Sequence, residues 1–174
     1  MGKSTCSGVV ISDHEALTAA HCIFIEKRPY LGPILVTGER GVTTVALARG
    51  AIIKLDLADI IGNFKHFKKA KASLIHSKLE IGEKYFTCGY PMGQDEQVCD
   101  EFVVKGNNFT FKWGIGSLIY GQSGGPVVNP RTNTVEGLNI YIYEQSVGVT
   151  PLTGIFGRYG IRRLDAGNKD HDKY

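Results

Sequence analysis

Apolar residues along this 174-residue chain fall into short runs, most of them bounded by turn residues such as glycine, proline, asparagine or aspartate. The first half carries "SGVVIS" at 7–12, "EALTAA" at 15–20, "GPILVTG" at 32–38, "GVTTVALA" at 41–48 and "AIIKLDLADII" at 51–61. The second half carries similar runs at 83–91, 96–106, 108–113, 124–129, 134–143 and 148–156. Runs of this length, with hairpin-length gaps, predict about eleven β-strands and an all-β barrel or sandwich. Sustained 3.6-residue periodicity is missing. The helix candidates reduce to a turn around His21 and a short segment near 161–166. "NFKHFKKAKAS" at 63–73 interrupts the series. The expected layout is therefore a strand-rich unit at 1–62, a connector at 63–81, a second unit at 82–160 and a polar tail at 161–174.

Composition narrows this picture only a little. A net charge of +3 is too mild to argue for a nucleic-acid partner, and the lysines of the connector read first as a solvated link. Contact of Lys65–Lys71 with phosphates is the lesser alternative. No apolar run approaches the ~20 residues of a membrane-spanning helix. The opening "MGKSTCSG" has no hydrophobic region of the kind a signal peptide needs, which suits an intracellular chain or a mature or excised piece.

The strongest chemical signal is "YGQSGGPVVN" at 120–129. Gly-Gln-Ser-Gly-Gly-Pro makes a poor strand and a worse helix. It suits a tight loop whose backbone N–H groups converge beside Ser123, as an oxyanion requires. A serine hydroxyl needs a base to take its proton. "LTAAHC" at 17–22 offers His21, and "KLDLADIIG" at 54–62 offers Asp56 and Asp59 for the far side of the imidazole. Each motif alone has a plain structural reading as a turn, a core histidine or a capping aspartate. Their order of histidine, aspartate, serine is what sets them apart. A zinc site on His21 and Cys22 is the competing view, but the chain has no Cys-x₂-Cys and no second cluster to complete it. No metal and no cofactor is expected.

With "LTAAHC", "DLA" and "GQSGGPVV" in this order, the chain resembles the chymotrypsin/trypsin-like serine proteases over nearly its whole length. The resemblance implies two packed six-stranded antiparallel β-barrels with the active site in the cleft between them. It implies His21 as general base and acid, Ser123 as nucleophile, and the N–H groups of Gly121 and Ser123 as oxyanion hole. Asp56 fits the family pattern for the orienting carboxylate; Asp59 stays a rival. It also implies a Cys6–Cys22 disulfide beside the histidine, whereas a Cys88–Cys99 bridge across a hairpin matches no family pairing. Bridged cysteines would suit an extracellular or secreted protein, and free ones the cytoplasm of a host cell. The sequon Asn108-Phe109-Thr110 matters only in the first case.

Departures from the family pattern are equally informative. Where many relatives carry an aspartate that pairs with a freed N-terminal ammonium, this chain has Gln122, so other contacts must order the oxyanion loop. That and the small size look more like compact viral, bacterial or phage members, including enzymes that process their own polyprotein. Ser117 falls at the implied pocket floor, with Tyr141, Ile142 and Gly148 along its walls. This set favours small or medium apolar residues before the scissile bond, and His76 or Tyr159 would also reach the pocket. The expected partner is a peptide or protein substrate. The alternative is a latent protease-fold module awaiting an activating partner. Oligomeric state is not legible.

Overall fold

The computed structural model describes residues 5–71, 79–108, 111–143, 146–152 and 162–163. Its first strands are β1 (Val9–Val10), β2 (Glu15–Ala19), β3 (Phe24–Ile25), β4 (Arg28–Pro29), β5 (Ile34–Thr37), β6 (Thr43–Ile52) and β7 (Leu57–Gly62). There follow β8 (Lys84–Gly89), β9 (Val98–Asn108), β10 (Phe111–Ile115), β11 (Pro126–Asn129), β12 (Thr134–Tyr143), β13 (Ser146–Pro151) and β14 (Arg162–Arg163). One sheet runs β1-β2-β7-β6-β14, with β5 also paired to β6. The second, β10-β13-β12-β11-β8-β9, closes on itself as a six-stranded barrel. The expected chymotrypsin-like two-barrel architecture is therefore present, with the first sheet curved but left open among the described residues.

Packing follows from the apolar runs. Ala16, Ala46, Ala58 and Ile60 fill the interior of the first sheet around Phe64 and Phe67. Tyr85, Phe102, Val104, Val147 and Val149 fill the second barrel. Between them, Leu17, Leu55 and Leu57 meet Val135, Leu138 and Leu152 in a shared core. β2 and β7 thus bury residues on both faces: Ala16, Ala58 and Ile60 join the first sheet's own core, and Leu17 and Leu57 the core shared with the second barrel.

Two expectations change. Part of the connector belongs to the core: Phe64 and Phe67 stack edge to face with centroids 5.5 Å apart, and their lysine neighbours remain outside. Lys69 pairs with Asp13 at 2.7 Å and so fixes this segment against the turn before β2. Within the segment expected to be weakly helical, Arg162 and Arg163 are extended and pair with Ala51 and Gly50 of β6. They prolong the first sheet; the rest of the tail lies outside the described residues.

Candidate active site

His21 sits in a single 3₁₀ turn, Ala20–Cys22, that ends β2. Asp56 follows a second such turn, Ile53–Leu55, and has left-handed backbone angles, φ 48° and ψ 44°. Ala19 is paired with Leu57, so the two turns lie side by side, and Ala20 N donates to Asp56 O at 3.0 Å. Both carboxylate oxygens then serve His21. Oδ1 accepts from its backbone N at 2.7 Å and Oδ2 from Nδ1 at 2.6 Å. A hydrogen on Nδ1 leaves Nε2 as the free basic nitrogen. The hydrogen bond to Asp56, reinforced by its charge, lifts the imidazole above its ordinary value against the opposing effect of burial.

Asp59 faces elsewhere. Its side chain is fully buried, accepts from Arg49 Nε at 2.7 Å and is also ion-paired to Arg49 Nη2; Glu15 reaches that nitrogen at 3.0 Å. The structure therefore brings Asp56, not Asp59, to His21.

Ser123 enters from the second barrel, on the loop before β11. Gly121 and Gly124 have φ of +98° and +84°, values that a side chain would strain. A Cβ on Gly124 would collide with Ser7 O and Thr18 Oγ1, so the loop packs directly on the chain around β1 and β2. The carbonyls from Tyr120 to Ser123 all have donors. Met92 N donates to Tyr120 O at 2.7 Å, Ser7 Oγ to Gly121 O at 2.7 Å, Gly125 N to Gln122 O at 3.0 Å and Ser7 N to Ser123 O at 2.8 Å. Gln122 N and Gly124 N are likewise used, on Ile119 O and Asn139 O. The N–H groups of Gly121 and Ser123 have no acceptor among the described residues. Ser123 Oγ donates to Ile140 O at 3.5 Å, and no hydrogen bond joins it to His21.

Both cysteine pairs are bridged, Cys6 to Cys22 and Cys88 to Cys99. The first ties the segment before β1 to the His21 turn. The second links residues directly opposite in the β8–β9 ladder, where Cys88 O accepts from Asn139 Nδ2 at 2.9 Å. Donor atoms of Cys6, His21 and Cys22 lie within 4.8 Å of one another, but the disulfide leaves no thiolate to bind a metal.

Of the expected pocket residues, Tyr141 and Gly148 are cross-strand partners, and a Cβ on Gly148 would collide with the tyrosine ring. Ile142 is placed by its backbone alone, opposite Val147. Ser117 is exposed, and its carbonyl accepts from Thr87 Oγ1 at 3.5 Å. His76, Tyr159 and most of the sequon lie outside the described residues. Sequence reasoning missed Ser7, a buried hydroxyl that receives Tyr90 N at 2.9 Å while donating to Gly121 O. It also assigned no contact to Gln122, whose side chain is buried and whose Oε1 accepts Ile119 N at 2.6 Å.

No family model and no curated protein matches the chain in sequence. Solved structures do match in fold. A serine endoprotease from Yersinia pestis superposes with a TM-score of 0.72 at 23% identity, over 86% of this chain and 54% of that one. The HtrA-type protease AlgW, solved with a decapeptide, gives a TM-score of 0.70 at 21% identity, over 87% of this chain and 49% of that one. The chain thus spans about half the length of these neighbours, and at such identities the likeness establishes the fold.

Proposed function

We propose that this chain is a serine endopeptidase that cleaves peptide bonds through an acyl-enzyme. The observation that carries the proposal is the His21–Asp56 pair together with a glycine loop, packed against Ser7, Thr18 and Ala19, whose Gly121 and Ser123 N–H groups have no acceptor among the described residues. Ser123 Oγ bonds to the scissile carbonyl carbon while its proton passes to His21 Nε2. The two free N–H groups take the charge that develops on the carbonyl oxygen. His21 then protonates the departing amine as the C–N bond breaks. Water attacks the ester with the same base assisting, and Ser123 is regenerated. Asp56 holds the tautomer and stabilises the imidazolium.

The substrate is a polypeptide, consistent with the decapeptide held by the HtrA-type neighbour. Tyr141 lying across Gly148 favours small or medium apolar side chains before the scissile bond. The HtrA-type likeness lends nothing to processing of a viral polyprotein, and that narrower role is not part of the proposal.

One observation favours a second reading, a latent enzyme: Ser123 Oγ is turned to Ile140 O rather than to His21. Treatment with a fluorophosphonate, followed by mass spectrometry, separates the two. Labelling of Ser123 that is lost in His21→Ala supports an assembled nucleophile. Folded protein that never labels sinks the self-sufficient enzyme.

A further inference from the structure

The glycine loop is useful to an oxyanion only if its two free donors converge, and convergence depends on the peptide planes around them. The plane carrying Gly121 N–H is set from outside the loop, by Met92 N on Tyr120 O. The plane carrying Ser123 N–H is set within the loop, by Gly125 N on Gln122 O. Between and after them lie the planes that hold Gly121 O and Ser123 O. Both of those carbonyls are fixed by a single residue, Ser7, through Oγ at 2.7 Å and backbone N at 2.8 Å.

A serine hydroxyl has one hydrogen to give. Tyr90 N occupies Ser7 Oγ as an acceptor at 2.9 Å, so that hydrogen is directed onto Gly121 O. Ser7 is itself buried, and its carbonyl receives Thr18 Oγ1 at 2.8 Å. Its preceding neighbour, Cys6, is bridged to Cys22 beside His21. One small residue therefore joins the base-bearing turn to the nucleophile loop. Gln122 is uncharged, and its Oε1 accepts a local hydrogen bond from Ile119 N, without a link to the first sheet.

We infer that Ser7 is a positioning residue that locks the Gly121–Ser123 donors into a converging arrangement, which an ion pair at position 122 cannot do here. This rests on the serine-endopeptidase reading. Its geometric half can be tested without activity.

The full chain, Ser7→Ala and Ser7→Thr are compared by hydrogen–deuterium exchange over 119–125 and by the rate of fluorophosphonate labelling against pH. Ser7→Ala should exchange faster across 119–125 and label about ten- to a hundredfold more slowly, because freeing one oxyanion donor costs at most about 10²–10³. The midpoint of its pH profile should stay where the unaltered protein has it, since the His21–Asp56 pair is untouched. General disruption around Cys6–Cys22 would move it. Ser7→Thr keeps the hydroxyl and should restore labelling.

Exchange and labelling in Ser7→Ala equal to the unaltered protein overturn the inference. If Ser7→Ala does not fold, slow labelling of folded Ser7→Thr overturns it in the same way. An unaltered protein that never labels, with faster exchange in Ser7→Ala, removes the self-sufficient enzyme and upholds the geometric role of Ser7.

Discussion

Arg49→Leu tests whether the two aspartates of the 54–62 segment have separate duties. Asp59 is fully buried, and its Oδ1 has no hydrogen-bond partner among the described residues, so Arg49 on Oδ2 is its main compensation. Removing the guanidinium leaves a buried carboxylate alone beside Glu15. Breaking a fully buried pair costs about 3–5 kcal/mol, and an exposed pair about 0–1 kcal/mol. Arg49 is 44% exposed while Asp59 is 0%, which places the loss between those limits, at about 2–3 kcal/mol. For a chain of this size that lowers Tm by about 4–12 °C. Arg49→Leu with Asp59→Leu should be less destabilised than the sum of the single changes. Thermal unfolding reads both effects. Serine labelling should persist throughout in folded protein. An unchanged Tm, or loss of labelling by folded Arg49→Leu, would refute the division of labour and return Asp59 to candidacy beside His21.

Asp56→Asn should lower the turnover rate by about 10⁴ without unfolding the protein, measured with a small ester or peptide substrate. In the unaltered protein the base must be neutral, so activity should rise with pH through a midpoint above the ordinary histidine value of 6.5, in keeping with the lift from Asp56. A midpoint at or below that value counts against the pair. Phe64→Ala empties a fully buried position of the first core and should cost about 3–5 kcal/mol by denaturant unfolding; near-neutrality would mean that the connector does not belong to that core.

Strands were legible wherever apolar residues alternate over four or more positions, because the pleat exposes that period directly. The β3–β4 hairpin was not. Each strand is two residues long, and its turn places Glu26 and Lys27 at φ 49° and 64°, where asparagine and glycine are the usual signal. The 51–61 run reads as one strand but is cut by the left-handed Asp56, the residue that turns back to His21. Phe64 and Phe67 were hidden by the lysines around them, since charge in a run masks two buried rings. Histidine, aspartate and serine stood out because each lies in an unusual local context. Ser7 did not, because nothing near it in sequence reveals a partner 114 residues away. Buried hydroxyls of this kind are specified by tertiary contact alone.

The contact between Ser7 and the glycine loop also bears on timing. The segment that frames the nucleophile is among the earliest parts of the described chain to leave the ribosome, whereas Gly121 and Ser123 follow more than a hundred residues later. Asn139, which anchors Gly124 through its carbonyl, emerges later still. Pairings this distant form late, after loop-closure entropy has been overcome. The residues of the histidine–aspartate pair therefore precede those of the oxyanion frame along the growing chain. On the serine-endopeptidase reading, hydrolytic competence would arrive only with the last of these long-range contacts.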